Sequence, residues 1–233
     1  MNQDSSAQAT GKRAAAEEAV RRIESGMTVG LGTGSTAVYA IRKIGEFVQG
    51  GLSIRAVATS VQSERLAREL GIPISPFADI DGIDVTIDGA DEVDGAFNAI
   101  KGGGGALLRE KIVAAASRTL ILVVDESKVV RRLGAFPLPV EIVPFGKELT
   151  LAKLTELGGN PVVRLARDGS VYTTDNGNYI ADCNFGSIGD PGRLTAQLNA
   201  IPGVVENGLF VGMASGVIVG RADGSAAPLV RQS

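Results

Sequence analysis

Three predicted β-strands of this chain each end in a cluster of polar residues. The strands cover about residues 27–32, 83–88 and 119–124. In an open parallel α/β sheet, the carboxyl ends of the strands lie along one edge, and ligands bind in the crevice just beyond it. The sequence therefore predicts one site, built from the segments that close these strands: Thr33–Thr36, Asp88–Asp91 and Asp125–Lys128.

Strands and helices alternate through the first part of the chain. Helices are predicted between the strands, over about residues 11–24, 35–48, 62–70 and 105–117, with a further strand over Ser53–Thr59. This order predicts an α/β fold with an open, mostly parallel, Rossmann-like sheet and helices on both of its faces.

The pattern changes at Pro137 and Pro139, which interrupt the alternation. The elements that follow are predicted in the order β-α-β-β-β-α-β, with Val204–Phe210 as the last strand, and this order is typical of a smaller ferredoxin-like α+β domain. The apolar segment that comes next is expected to return to the first sheet. We therefore expect a larger α/β domain that carries the site, from residues 1–135 and 211–233, and a small domain from residues 136–210.

Composition argues against several classes of function. A net charge of −3 does not favour a nucleic acid or an anionic membrane as partner. The single cysteine, Cys183, leaves no internal disulfide framework and is typical of a reducing compartment. No apolar run approaches the ~20 residues of a membrane span, and Met1–Thr10 lacks the apolar region of a signal peptide. We expect a cytoplasmic protein without a membrane partner.

The chain contains no histidine, which is the commonest general base and metal ligand. Acid–base chemistry must then use carboxylates, lysine, tyrosine or the thiol. Cys183 lies in a strand of alternating polarity and has no histidine to activate it, so we expect an inert thiol.

The glycine-rich segment Gly30–Thr36 follows a strand and opens a helix. Its glycines let backbone amides approach an anion, the helix N-terminus favours negative charge, and Ser35 and Thr36 add hydroxyl donors. The spacing matches neither the dinucleotide fingerprint nor a Walker element, so a sugar phosphate is favoured over a nucleotide. Lys128 is placed to reach the same phosphate. A tight strand-to-helix turn and a surface lysine are the alternatives.

Asp88 and Asp91 flank a Gly-Ala pair, with Glu92 and Asp94 nearby. Clustered carboxylates can hold a divalent metal, bind sugar hydroxyls or move protons. They can also cap a turn or a helix, and the residues alone leave these possibilities open. The spacing of a calcium-binding EF-hand loop is absent.

Lys101 begins a run that continues as four glycines, 102–105. Glycines are costly to order, but they let the backbone pass close to a ligand, and Lys101 can stabilise a developing oxyanion. In the next helix, Glu110 shares a face with Leu107 and Ala114, so we expect it in a semi-buried site. Burial would raise its pKa, whereas Lys101 and the helix N-terminus would lower it. A flexible linker and a solvated glutamate are the alternatives.

Taken in order, these motifs resemble the ribose-5-phosphate isomerase A family. The resemblance covers nearly the whole chain, and one departure is Leu108, where many members are expected to have threonine. It implies interconversion of D-ribose 5-phosphate and D-ribulose 5-phosphate, in the non-oxidative pentose phosphate pathway, with no metal and no other cofactor. The matching segments are Gly32–Thr36, Asp88–Asp91, Lys101–Gly104, Arg109–Lys111, Asp125–Lys128, Phe136–Glu141, Thr174–Asn178 and Asn199–Val204.

The resemblance also implies the roles of individual residues. Glu110 matches the proton acceptor, and Asp88, Asp91 and Lys101 match the other catalytic groups, with Asp88 as the candidate for assisting ring opening. Lys12 lies where some members bring a lysine to the phosphate. A homodimer or homotetramer is expected. The implied substrate-binding residues are Thr33, Gly34, Ser35, Thr36, Asp88, Gly89, Ala90, Asp91, Lys101, Gly102, Gly103, Gly104 and Lys128.

Two other classes of function remain open. A sugar-phosphate-sensing module of a transcriptional regulator could share this fold, but it would need a DNA-binding element, and the sequence has no basic patch for one. A sugar-phosphate deaminase or lactonase of related fold is expected to use a histidine, which this chain lacks. Turnover of ribose 5-phosphate distinguishes the isomerase from both.

Overall fold

The structure, a computed structural model, describes residues 6–232. Two short 3-10 helices, Phe77–Asp79 and Glu126–Lys128, accompany the longer elements. The described α-helices are α1 (Ser6–Val20), α2 (Ser35–Gln49), α3 (Val61–Glu69), α4 (Leu107–Ala115), α5 (Lys147–Glu156) and α6 (Pro191–Asn199). The described strands are β1 (Thr28–Leu31), β2 (Arg55–Ala58), β3 (Ile83–Asp88), β4 (Glu92–Val93), β5 (Ala99–Ile100), β6 (Ser117–Asp125), β7 (Leu138–Ile142), β8 (Pro161–Val163), β9 (Tyr179–Cys183), β10 (Val204–Asn207), β11 (Leu209–Phe210), β12 (Gly216–Gly220) and β13 (Ala226–Pro228).

The main sheet has the strand order β13-β12-β6-β3-β1-β2. Its strands are parallel except for β13, which runs antiparallel to β12 at one edge. The order changes direction at β1, because β2 lies on one side of it and β3 on the other. Connections leave such a point in opposite directions and open a crevice at the carboxyl ends of the strands. The predicted Rossmann-like sheet is confirmed, including the return of the chain to it at β12.

Alternate side chains of the central strands face two different cores. In β6, Ile121 and Val123 pack into a core that includes α1 and α2. Leu120 and Leu122 pack on the opposite face, in a core that includes Ala114 of α4. Because side chains alternate along a strand, both faces of a sheet covered by helices become apolar. The prediction of helices on both faces is therefore confirmed.

A second sheet has the strand order β10-β7-β9-β8, and every neighbouring pair in it is antiparallel. With α5 between β7 and β8, and α6 between β9 and β10, this is the predicted ferredoxin-like topology, with two strands between the helices instead of the predicted three. Its core includes Val140, Leu154 and Leu198, and it continues to Ile100 of β5. The exact bounds of a small domain, 136–210, stay a prediction.

A third sheet, β11-β5-β4, is not foreseen from the sequence. It forms because β4 and β5 make a hairpin whose turn is held by the Asp94 carboxylate, and because β11 pairs with β5. The single strand predicted over 204–210 is therefore wrong: it breaks at Gly208. A Cβ at Gly208 would lie 2.3 Å from the carbonyl oxygen of Lys101. Gly208 also accepts the Lys101 N–H at 2.9 Å, which fixes the backbone that carries this lysine.

Among the helices of residues 6–232, none is both long and apolar enough to cross a membrane. The prediction that Met1–Thr10 lacks a signal region falls partly on residues 1–5, which lie outside the described residues. The cytoplasmic location stays a prediction.

Candidate active site

The polar segments at the ends of β1, β3 and β6 meet around one cavity. Every predicted substrate-binding residue except Asp88 lines it, and Glu110 joins them. Lys12, which the sequence matched only weakly, also reaches the cavity. The lining residues are Lys12, Thr33, Gly34, Ser35, Thr36, Gly89, Ala90, Asp91, Lys101, Gly102, Gly103, Gly104, Glu110 and Lys128.

The loop after β1 presents the N-terminus of α2 to the cavity. Gly34 caps this helix with a φ of 106°, a conformation that residues with side chains rarely adopt. The first N–H groups of a helix lack partners within the helix and favour an anion. The Ser35 hydroxyl accepts a hydrogen bond from Nζ of Lys12 at 2.9 Å. Backbone amides, hydroxyls and an ammonium group therefore meet at this wall.

The side chain of Thr33 supports this loop through a cluster of hydroxyl groups. Its Oγ1 lies 2.7 Å from Oγ1 of Thr59 and 2.8 Å from Oγ of Ser60. Ser63 completes the cluster by donating to the Gly32 carbonyl at 2.7 Å. Sequence reasoning missed these three supporting residues. The only available signal was Ser60, a typical helix-capping serine ahead of α3.

Lys128 reaches the cavity from the end of β6. The Asp125 carboxylate accepts the Ser127 N–H at 3.0 Å and so caps the short 3-10 helix that carries Lys128. Within the described part of the chain, the Lys128 ammonium makes no hydrogen bond and no ion pair. It is therefore available to an anionic ligand.

A buried lysine lies between two buried carboxylates at the cavity wall. Nζ of Lys101 is 3.0 Å from Oδ2 of Asp88 and 3.1 Å from Oε1 of Glu110. Its third N–H donates to the Gly89 carbonyl. All three side chains are at most 5% exposed. Two carboxylates and one ammonium leave an excess negative charge in a poorly solvated place, which favours holding one extra proton.

The pKa shifts follow from this arrangement. Burial raises the pKa of Glu110 to about 8: Lys101 opposes the rise and the nearby Asp88 carboxylate adds to it. Burial also acts to lower the pKa of Lys101, but Asp88 and Glu110 outweigh it, so this pKa lies above its ordinary value. Lys101 therefore stays charged, and Glu110 can exchange a proton near neutral pH.

One carboxylate oxygen of Glu110 is available to a ligand. Within residues 6–232, Oε2 is buried and has no hydrogen-bond partner. The side chain is buried because Glu110 shares a face of α4 with Leu107 and Ala114, as the sequence predicted. A buried acceptor without a partner is costly unless a ligand completes it. This oxygen is the best placed group in the cavity to take a proton.

Asp91 faces the cavity beside the glycine loop. Its Oδ2 accepts the Gly103 N–H at 2.7 Å, and a Cβ at Gly103 would lie 2.5 Å from Oδ1. A side chain at position 103 would therefore displace the Asp91 carboxylate, so glycine favours this close approach. Burial raises the pKa of Asp91, and the Gly103 N–H opposes that rise. Asp91 can thus exchange protons with a bound hydroxyl group.

Asp88 is enclosed by protein. Its Oδ1 accepts the N–H groups of Thr33 at 3.0 Å and of Gly89 at 2.7 Å, and its Oδ2 pairs with Lys101. It does not line the cavity. Asp88 joins the loops after β1 and β3 and holds Lys101, so direct contact with a sugar is disfavoured by this geometry.

The neighbouring acids serve the fold. Glu92 accepts the N–H groups of Gly134 and Phe136 at 2.7 and 2.6 Å, and Asp94 holds the β4–β5 turn. Among residues 6–232, no group of three or more His, Cys, Asp or Glu side chains is arranged to hold a metal ion. Cys183 is buried, and burial raises its pKa to about 12, consistent with an unreactive thiol.

Known proteins with a sequence similar to this chain include members of one isomerase family. The profile described as ribose 5-phosphate isomerase A (phosphoriboisomerase A) matches residues 55–224. The ribose-5-phosphate isomerase A of Parvibaculum lavamentivorans is 50% identical over 220 residues, covering 92% of this chain and 95% of that protein. The solved ribose 5-phosphate isomerase A of Neisseria gonorrhoeae has a TM-score of 0.90 at 41% identity, covering 97% of this chain and 98% of that one. A D-ribose-5-phosphate isomerase in complex with phospho-erythronic acid has a TM-score of 0.90 at 42% identity, covering 94% and 96%. The chain therefore belongs to the ribose-5-phosphate isomerase A family.

Proposed function

We propose that this protein interconverts D-ribose 5-phosphate and D-ribulose 5-phosphate through an enediolate. One observation carries the proposal: the same cavity is lined by anion-binding groups and by the buried carboxylate of Glu110. Oε2 of this carboxylate accepts no hydrogen bond within the described residues. Isomerisation of a sugar phosphate needs both features: a base that moves a proton between C2 and C1, and a site that binds the phosphate. The reaction named for the related proteins supports the same assignment.

The phosphate is proposed to lie at the N-terminus of α2. Ser35, Thr36 and the backbone amides of this turn supply neutral donors, and Lys128 and Lys12 supply charge. Binding the phosphate away from the reacting carbons fixes C1 and C2 in the cavity, so that proton transfer becomes an intramolecular step.

Glu110 is proposed to take the proton from C2 and to return it to C1, while the hydroxyl proton passes from O2 to O1. When Glu110 is ionised, Lys101 has its three N–H groups on Asp88, Gly89 and Glu110. Taking the proton neutralises Glu110 and weakens its hold on Lys101, while negative charge appears on the enediolate oxygen. Lys101 can then donate to that oxygen, so the charge stays compensated throughout the step. The N–H group of Gly104, in the exposed part of the glycine loop, can add a further donor.

Ring opening is assigned to Asp91 in this proposal. The sequence favoured Asp88 for this step, but Asp88 has both oxygens occupied by protein donors. Asp91 lines the cavity and has an oxygen, Oδ1, that accepts no hydrogen bond within the described residues. Asp88 would then act by holding Lys101 in place.

The activity is expected to rise with pH toward a plateau above about pH 8, because Glu110 must be ionised to accept a proton and its pKa is about 8. Below that pKa, kcat/KM should fall by about tenfold per pH unit. The second pKa of the substrate phosphate is about 6, so its ionisation gives a separate change in rate at lower pH. Initial rates at sub-saturating substrate between pH 5.5 and pH 9.5 measure both ionisations, and a flat profile between pH 7 and pH 9 would contradict the assignment to Glu110.

Replacing Lys128 with alanine should raise KM by about tenfold to a hundredfold, because a charge-assisted contact is worth ~1.5–3 kcal/mol. Part of the loss should appear in kcat if the phosphate positions the substrate. Arg131→Ala is the matched control, since it removes the same charge from an exposed side chain that does not line the cavity. Steady-state kinetics and the inhibition constant of inorganic phosphate measure the effect; equal values for the two variants would make Lys128 a surface residue.

The activity itself is tested with purified protein and D-ribose 5-phosphate. Formation of ribulose 5-phosphate, followed continuously in a coupled assay, is the expected result. Binding without turnover would indicate a sensing module, and release of ammonia or a hydrolysis product would indicate a different enzyme.

The protein is also inferred to be a homodimer or homotetramer. Large apolar side chains are exposed on the part of the chain that carries the second sheet: Phe145 is 92% exposed, Leu149 77% and Val162 67%. Exposed apolar side chains are typical of subunit interfaces where they form a contiguous surface. Light scattering after size exclusion should give a dimer or tetramer at micromolar concentration, and Phe145→Asp should shift it to a smaller species. A wild-type monomer at that concentration would refute the inference.

A further inference from the structure

The glycine loop after Lys101 has no side chains of its own to hold it. Residues 102–105 are all glycine, and ordering glycine loses more backbone freedom than ordering any other residue. Yet the Gly103 N–H has a definite place, 2.7 Å from Oδ2 of Asp91. A contact from outside the loop is therefore needed to fix it.

Arg164, which follows β8 of the second sheet, makes such a contact. Its NH1 group donates to the carbonyl oxygen of Gly102 at 2.9 Å and to that of Gly103 at 3.2 Å. The Arg164 side chain is 15% exposed; its hydrogen bond to Gly102 is partly buried, and its hydrogen bond to Gly103 lies at the surface. Among the described residues, Arg164 and Asp91 are the two side chains that hydrogen bond to the backbone of this loop.

Asp182 of β9 orients the guanidinium group. Nε donates to Oδ2 of Asp182 at 2.9 Å, and NH2 pairs with Oδ1. Because the guanidinium is planar, a two-point contact on one edge fixes the direction of the remaining N–H groups. The ring of Tyr172 lies 5.9 Å from the guanidinium carbon, and its hydroxyl fills the space beside Gly105. The second sheet thus presents a preformed donor to the loop.

We propose, on the basis of the proposed function, that Arg164 is a positioning residue for the isomerisation: it holds Gly102 and Gly103 so that the Gly103 N–H orients Asp91 in the cavity. The second sheet then contributes to catalysis without touching the sugar. The charge of Arg164 acts in the same direction, because it adds to the Gly103 N–H in opposing the rise that burial causes in the pKa of Asp91.

The test compares Arg164→Met with Arg167→Met, a control in the exposed turn of the same hairpin. Arg164→Met should lower kcat by about tenfold to a hundredfold, because it removes two hydrogen bonds from a charged donor. The inhibition constant of inorganic phosphate should stay within about twofold, because the phosphate-binding groups are untouched. Arg164→Lys keeps the positive charge but lacks the planar guanidinium with its several N–H donors, and should give an intermediate kcat. Arg167→Met should match the wild type.

Hydrogen exchange measured by mass spectrometry separates positioning from general packing. In Arg164→Met, amide hydrogen exchange should be faster than in the wild type in peptides that cover residues 101–107. In peptides that cover residues 28–40, the exchange rate should be unchanged. Arg164→Lys replaces this variant if Arg164→Met does not fold. A wild-type kcat in a folded Arg164 variant would overturn the proposal. Faster hydrogen exchange over the whole protein, together with weaker phosphate binding, would also overturn it. If the wild type does not turn over ribose 5-phosphate, the proposed function fails instead, and the exchange result still decides whether Arg164 holds the loop.

Discussion

Replacing Glu110 with glutamine is expected to lower kcat by at least about 10²- to 10⁴-fold, the range attributed to general-base catalysis. Glutamine keeps the shape of the side chain and can still accept the Lys101 N–H, but it cannot take a proton from C2. The thermal midpoint should not fall, because a buried carboxylate is replaced by a neutral group while Lys101 keeps Asp88 as its counter-ion. Steady-state kinetics and thermal unfolding measure the two effects.

Two comparisons make the Glu110 result specific. The inhibition constant of inorganic phosphate should be nearly unchanged in Glu110→Gln, because the phosphate groups lie on other segments. Glu126→Gln, an exposed glutamate at the end of β6, should keep wild-type turnover. Near-normal turnover by Glu110→Gln would transfer the role of base to Asp91.

Replacing Lys101 with methionine should have the second large effect, a loss of about 10²- to 10³-fold in kcat through removal of an oxyanion donor. It should also lower the free energy of unfolding by ~3–5 kcal/mol, because Asp88 and Glu110 lose their shared buried cation. The stability difference should shrink at low pH, where protonation removes the unpaired negative charge.

Denaturant unfolding at pH 5 and pH 8, together with kinetics, measures these changes. Lys153→Met is the matched control, since Lys153 pairs with Glu156 on an exposed helix surface. Wild-type stability in Lys101→Met at pH 8 would mean that the two carboxylates do not depend on this lysine.

The position of the site could be predicted because it follows from two local patterns: polar residues at the ends of strands, and the spacing of apolar residues along a helix. Polar residues that close buried strands must gather at one edge of a parallel sheet, which placed Ser35, Asp91 and Lys128 together. The helical period of 3.6 residues likewise put Glu110 on the buried face of α4 with Leu107. Neither argument needs contacts between distant segments.

What the sequence did not foresee depends on long-range packing. The two-residue strands β4 and β5 are too short for a periodic signal, yet Lys101 directly follows β5, and its N–H is held by the Gly208 carbonyl. The enclosure of Asp88 arises because three donors from other positions converge on its carboxylate. Arg164 lies 62 positions from Gly102 in the chain, so its contact with the glycine loop leaves no local pattern.

The most direct test of proton transfer by Glu110 is the isomerisation of D-ribose 5-phosphate in D₂O, followed by proton and deuterium NMR. The wild type should produce ribulose 5-phosphate with deuterium at C1, in less than full amount if the buried site shields the transferred proton from solvent. In Glu110→Gln, both the formation of ribulose 5-phosphate and the incorporation of deuterium should be much slower than in the wild type. Conversion by the wild type without deuterium at C1 under any condition would indicate a hydride shift and would contradict the enediolate mechanism.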